Sequence, residues 1–540
     1  MRFKFVAVAL AAASFSTMAL AGKAAAPDFT ANGFRAHVAF LADDLLEGRE
    51  AGTRGYDIAA RYVATQFEGL GLKPAGQDGW YQQVPFTTYR LGAAPATITI
   101  GGKTFENGKD ISMGASAREP SQSLEAPVVF AGYGLDAPGQ GFDDYAGLDV
   151  KGKVVAVLGG FPKGVPSELA AHLSSQKSRM AQDRGAIGVV YLRTLAEQKR
   201  RPWASIAQSA HETGMTWLGS DGQPFSNAPG IRFTASLDTR AAEALFAGAG
   251  KPLSAVLAEA ARDGARPKGF ALKRSLKVDR QSVVARSSSP NVLAVLPGSD
   301  PALAGEYVLL MAHLDHEGVN PAREGEDKIY NGAMDNATGI STMLEVARAM
   351  ATSGQRPRRP ILFAAVTAEE KGLLGSQYLA KHPVVGDGKV VGVVNLDMPV
   401  LLYDFNDVIA FGAERSTLGP IVRSAGAQMN VALADDPLPQ ENLFVRSDHY
   451  RFVQEGVPSV FLMTGFANGG KEKFTHFLST NYHKVSDDLS LPIDWQAGAK
   501  FARLNYLIAR EIADGDEAPR WYAKDFFGDT FAPGAVKAAK

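Results

Sequence analysis

The 540-residue chain contains no cysteine. That absence excludes disulfides, thiolate metal sites, iron–sulfur clusters and cysteine nucleophiles together. Any metal must then be held by His, Asp and Glu. Long apolar runs are also missing. No stretch reaches the ~18 apolar residues that a transmembrane helix needs, so no membrane span is expected. An excess of one charge is missing too. Lys plus Arg number 56 and Asp plus Glu 57, a formal net charge of −1. Such a balance makes no electrostatic case for nucleic acid or an anionic membrane as partner. No internal repeat is seen. The hydrophobic fraction of 46% and charged fraction of 21% are those of a globular chain rather than a disordered one. At ~150 residues per domain the length suggests about two to four domains.

What is present begins with a three-part N-terminus. Arg2 and Lys4 precede the short apolar run Phe5 to Ser14, and Ala19-Leu20-Ala21 has a small-x-small pattern. Residues 1–21 are expected to be a secretory signal peptide. The mature chain is then expected to be exported, to a bacterial periplasm or the medium. With no Cys for lipidation it is expected to lack a membrane anchor. Beyond it, Phe34 to Leu46 and Tyr56 to Leu70 carry apolar residues at helical spacing and predict a helical hairpin. Residues 121–284 have short β-like runs bounded by Gly and Pro, such as Val128 to Gly132 and Val154 to Gly159. They read as an inserted β-rich module with no ligand-like cluster. From 285 to 515 continuous apolar strands alternate with helical patterns, which argues for an α/β fold: a mixed central sheet with helices on both faces. Residues 516–540 lack periodicity and read as a surface extension.

Polar residues gather where the strands of this last segment end. Val308 to Ala312 leads into His313-Leu314-Asp315, Ile361 to Val366 into Thr367-Ala368-Glu369-Glu370, and Val390 to Leu396 into Asp397. Open α/β sheets form their sites at the carboxyl ends of strands. Asp335 lies in a loop between the first two strands, and Asn481-Tyr482-His483 comes near the end. Singly, each residue has a structural explanation: a loop histidine, glutamates favoured at a helix start, an aspartate cap. Jointly, two His and several carboxylates at equivalent strand ends suit a pair of Zn²⁺-like ions sharing one carboxylate.

Several short motifs in order make the chain resemble the M28 peptidases, co-catalytic di-zinc aminopeptidases and carboxypeptidases. They are HLD at His313 to Asp315, NGAMDNATG at Asn331 to Gly339, AEEKGLLGS at Ala368 to Ser376, NLDM at Asn395 to Met398, RSDH at Arg446 to His449 and YH at Tyr482 to His483. The resemblance covers roughly 30–120 and 285–515. It implies a zinc exopeptidase fold in which 22–120 and 285–515 form one peptidase domain. FAGYGL at Phe130 to Leu135 and DDYAGLDVKGKVVAVL at Asp143 to Leu158 are similar to a protease-associated (PA) domain, which would be the insertion at 121–284.

Carried over by position, the resemblance implies two zinc ions per chain. Asp335 would bridge them, His313 and Asp397 would complete one site, and Glu370 and His483 the other. Glu369 would be the general base acting on a water shared by the metals. Asp315 would orient the His313 imidazole through its carboxylate, and Tyr482 would polarise the scissile carbonyl. Arg446 would lie near the substrate. Apart from the resemblance, the contiguous Ser447-Asp448-His449 cannot form a catalytic triad and reads as scaffold behind the site, with His449 a candidate substrate contact. The Asp335–Asn336 peptide bond would be cis. Glu317 to Asp327 has no family role. The expected function is secreted, zinc-dependent hydrolysis of peptide bonds by an aminopeptidase. A carboxypeptidase or dipeptidase of the same fold is the alternative. A glutaminyl cyclase, which keeps one zinc, fits less well, because every ligand position of both metals is filled. A non-catalytic PA-bearing binding protein would show a lost ligand, and none is lost. Oligomeric state is not legible.

Overall fold

The computed structural model describes residues 27–540, so the expected signal peptide lies outside the described residues. The hairpin of helices is present. Thr30 caps Ala31–Leu41 by accepting from the Gly33 amide, and Thr53 caps Arg54–Gly69. Phe34, Val38 and Leu41 on the first helix, with Tyr56, Val63 and Phe67 on the second, face inward at three- to four-residue spacing.

The principal sheet runs in the order 81–91, 270–296, 361–366, 306–313, 389–396, 459–464, 407–411. Ile361–Val366, Glu306–His313, Lys389–Leu396 and Ser459–Thr464 are mutually parallel, so their carboxyl ends share one edge. These strands are apolar without alternation because both faces are covered. Val308, Leu310, Ala312, Phe363 and Ala365 point into a core with the helices of 31–69, 338–352 and 495–514. Leu309, Met311, Leu362, Ala364 and Val366 point the other way, toward Leu379 and Phe452. The mixed sheet covered on both faces is thus as expected.

The module departs from its expected limits. A second core joins Ala96, Ile98, Ile100, Phe105, Ile111 and Met113 to residues between 126 and 278. Its sheet therefore begins with Thr97–Ile100 and Lys103–Glu106, upstream of 121. It is also less purely β than expected. Parallel strands at 121–130, 154–158, 188–192 and 233–237 pack with helices such as Ser167–Ser175, Thr239–Phe246 and Leu253–Ala260. One 27-residue strand, Phe270–Leu296, joins the two units: Leu276 to Asp279 pair within the module sheet and Val292 to Leu296 within the principal sheet. Such a strand has no composition break to read in sequence.

The C-terminal segment is not a loose surface extension. Trp521 and Phe527 are buried in the principal core, and the Trp521 indole donates to the Gly456 carbonyl at 2.8 Å. Its helix Phe526–Phe531 supplies rings around His172 of the module, whose Nδ1 lies 2.5 Å from the Tyr450 hydroxyl. No helix among the described residues is long and apolar enough to cross a membrane.

Candidate metal centre

Five of the expected ligands converge at the shared carboxyl edge. His313 closes its strand, Glu370 follows the neighbouring strand in a tight turn, and Asp397 follows the strand Lys389–Leu396. Asp335 lies between them, just ahead of the helix Thr338–Thr352. The peptide bond after it is cis, as the resemblance implies. His483 arrives from the connection between helices Gly470–Thr480 and Trp495–Asp514.

Each carboxylate oxygen of Asp335 addresses a different histidine. Oδ1 is 3.1 Å from His313 Nε2, and Oδ2 is 3.3 Å from His483 Nε2. His313 Nε2 is also 3.2 Å from Asp397 Oδ1, and His483 Nε2 is 3.3 Å from Glu370 Oε2. Two donor sets thus meet at one shared carboxylate. Zinc bonds of ~2.0–2.1 Å in tetrahedral array place neighbouring donors about 3.3 Å apart, so the histidine–carboxylate spacings in both sets are those of zinc ligands. The donors are nitrogen and oxygen only, which zinc accepts.

Charge makes the same point. Burial alone would lower the pKa of His313, yet Asp397, Glu369 and Asp335 hold it well above the usual histidine value. Burial would likewise lower His483, but Asp335, Glu317 and Glu370 push it up to about 11. Asp335, despite burial, is held well below the usual range by the two histidines. The cluster concentrates negative charge that calls for cations.

Glu369 faces a cavity lined by His313, Asp335, Asp397, Tyr482 and His483, with Met398, Leu443, Phe461 and Met463 as its apolar wall. Burial first, then the charges of Glu370, Asp448 and Asp397, raise its carboxyl well above the usual range against the opposing His313. Tyr482 sits on the same cavity, its ring centroid 3.9 Å from that of His483. Burial raises its hydroxyl, so it remains a proton donor. Arg446 stands on the rim, half exposed, 3.6 Å from Glu441.

Two expected roles are corrected. The group beside His313 Nδ1 is the backbone carbonyl of Asp315, at 3.1 Å, not its carboxylate. That carboxylate instead accepts from the amides of Glu369 at 3.0 Å and Glu370 at 3.3 Å, fixing the turn that carries both glutamates. His449 is fully buried between Phe444 and Phe461 and does not line the cavity. Its helix, His449–Val453, turns it into the core, where burial pushes it down to about 3. The structure does not bring it to the cavity where a substrate contact was expected. Its neighbour Ser447 does support the site: its hydroxyl donates to Asp397 Oδ2 at 2.5 Å and accepts from Asn395 at 2.7 Å.

Other supports have no sequence signature. Asp487 accepts from the amides of Met334 at 2.8 Å and Asp335 at 3.0 Å. Arg49, buried between the first two helices, donates to the carbonyls of Leu314 at 2.9 Å, Asn331 at 2.5 Å, Gly332 at 3.1 Å and also Leu41. It clamps both ends of the loop that joins the His313 strand to Asp335. His316 is buried with Nδ1 2.8 Å from Glu370 Oε1. Its place three residues beyond His313 was the one available hint.

Residues 291–509 match the family model described as "Peptidase family M28". A "Probable zinc metalloprotease" of Pyrenophora teres f. teres (strain 0-1) is 33% identical over 283 residues, covering 44% of this chain and 56% of that protein. The "probable leucine aminopeptidase 2" of Aspergillus oryzae (strain ATCC 42149 / RIB 40) is 27% identical over 265 residues, covering 44% and 48%. The matched stretches span between 23% and 56% of the length of such curated relatives. Among solved structures, an "Aminopeptidase from Aneurinibacillus sp. strain AM-1" shares the fold, with TM-score 0.52 and 20% identity over 90% of this chain and 94% of that one.

Proposed function

We propose that the chain, whose residues 291–509 match the model of peptidase family M28, is a zinc-dependent exopeptidase, an aminopeptidase, holding two zinc ions and acting on peptides. One observation carries this reading: the two oxygens of Asp335 each face a different histidine, and each histidine has a further carboxylate of its own. His313, Asp335 and Asp397 would hold one zinc, and Asp335, Glu370 and His483 the other. When bound, zinc polarises the scissile carbonyl and acidifies water. Glu369 takes a proton from the attacking water at a carboxylate oxygen and delivers it to the amide nitrogen that leaves. The C–O bond forms as the C–N bond breaks, and that proton leaves on the new amine. The Tyr482 hydroxyl donates to the carbonyl oxygen as it gains charge. Asp315 holds the Glu369-Glu370 turn by its two amide contacts, and Met398, Phe461 and Met463 give the cavity an apolar wall.

The relative named as a leucine aminopeptidase supports release from the N-terminus. One observation favours a carboxypeptidase instead: Arg446, a half-exposed cation on the rim, suits a C-terminal carboxylate. The inserted module is proposed to be a PA domain, on the motifs at 130–135 and 143–158, and the chain to be exported, on its first 21 residues. The test is hydrolysis of peptides with free or acetylated N-termini, with and without chelator. Chelation should abolish activity and zinc restore it. Undiminished turnover by metal-free protein would overturn the zinc reading. Cleavage of acetylated peptides from the C-terminus would reverse the direction.

A further inference from the structure

Glu317 to Asp327 has no part in the site as described so far, yet its first residue reaches the site. Glu317 leads into a small hairpin in which Gly318 pairs with Tyr330 and Val319 with Ile329. The hairpin is pinned from below. Gly48 approaches so closely that a Cβ there would lie 2.5 Å from the Tyr330 carbonyl oxygen and 2.6 Å from that of Gly318. Gly48 also has φ 66, where a side chain is strained. Arg49 ties Leu314 on one side of the loop to Asn331 and Gly332 on the other. The Glu317 backbone is therefore held in place.

Its carboxylate Oε1 lies 3.1 Å from His483 Nδ1. The other nitrogen of that ring faces Asp335 and Glu370. The two histidines of the centre thus differ in how they are supported. His313 is almost fully buried, and the main-chain carbonyl of Asp315 grips its Nδ1. His483 has a side chain 33% exposed, sits on a connection at φ 54, and has the Glu317 carboxylate at that position instead.

We infer that Glu317 is a positioning residue for one half of the metal centre, fixing the ring orientation and tautomer of His483. By accepting from Nδ1–H it leaves the Nε2 lone pair aimed between Asp335 and Glu370 and makes that nitrogen a stronger donor. The inference rests on the zinc reading above. Glu317, Glu370 and His483 also lie close enough together to hold an ion themselves. That arrangement would make Glu317 itself a ligand, so the test separates the two.

The experiment titrates zinc into metal-stripped full-length protein against a competing chromophoric chelator, counting equivalents and affinities. Wild type should bind two equivalents. Glu317→Ala should keep one at wild-type affinity and weaken the other about 10–100-fold, the usual effect of losing such a partner. Glu317→Gln should recover most of the affinity, because its amide oxygen still accepts from Nδ1–H while making a poor zinc ligand. Unfolding of the metal-free variants should match metal-free wild type, since the carboxylate is partly exposed. Two tight equivalents in Glu317→Ala would overturn the inference alone. Equal losses in the Gln and Ala variants would overturn it in favour of direct ligation. A wild type that binds fewer than two equivalents would overturn the di-zinc reading itself.

Discussion

Replacing Arg49 by Met tests whether the N-terminal hairpin holds the metal centre together. The guanidinium donates to four carbonyls that the fold brings from three segments: Leu41, Leu314, and the Asn331-Gly332 pair. Hydrogen bonds from a charged donor contribute ~1.5–3 kcal/mol each, so four are worth about 6–12 kcal/mol gross. Against this stands the desolvation of a buried cation. Burial lowers its pKa from 12.5 to about 10, even though Asp487, Asp315, Asp335 and Glu370 oppose that shift. A shift of that size corresponds to about 3 kcal/mol, which the apolar variant regains. The net loss should be near the ~3–5 kcal/mol seen when one member of a buried charged network is removed. In the metal-free protein the unfolding midpoint should fall by roughly 3–5 °C. Zinc affinity should fall as well, since the loop from Leu314 to Gly332 loses its clamp. Arg49→Lys should recover little, because one ammonium does not span both ends of the loop. Calorimetry of the metal-free protein, with a zinc titration beside it, provides both readings. A midpoint within about 1 °C of wild type, with both affinities intact, would refute the argument.

Within Glu369-Glu370 the roles separate. Glu369→Gln should retain both metals and lose on the order of 10²–10⁴ in kcat with little change in KM, whereas Glu370→Gln should lose one metal by elemental analysis. The reverse pattern of metal loss would exchange their roles. His449→Phe should keep KM and hold or raise stability, because both ring nitrogens are buried without a protein partner; a raised KM would restore it as a substrate contact. His172, in the seam between module and principal domain, has its pKa lowered by burial from 6.5 to about 4. The unfolded chain then binds the extra proton first, so this residue's contribution is present above about pH 6.5 and is lost as pH falls toward 4. His172→Phe should flatten that part of the acid-unfolding profile; unchanged slopes would show that the seam does not titrate there.

Much of the centre was legible from local pattern alone. Four parallel strands bury both faces, so each is a continuous apolar run, and the polar residue that ends it marks the sheet edge. His313, Glu369, Glu370 and Asp397 are found that way, because hydrophobic periodicity and strand ends are properties of neighbours in sequence. Asp335 and His483 needed the motif resemblance, since they lie in loops whose pattern alone predicts a cap or a turn. For His449 and Asp315 the sequence determined only that they sit beside the site; the tertiary structure decided which of their atoms face it.

The remaining features depend on contacts between distant parts of the chain. The module limit is hidden inside one unbroken strand, Phe270–Leu296, whose two ends belong to different sheets. The C-terminal segment has no amphipathic period, yet Trp521 and Phe527 fill a core supplied by other elements. Arg49 meets Leu314 across 265 residues, and His172 meets Tyr450 across 278. By itself the sequence determined the strands, the polar residues at their ends and the chemistry those residue types permit. Only the tertiary structure decided which side chains support them, because a buried arginine or aspartate is stable only where the rest of the fold supplies its partners.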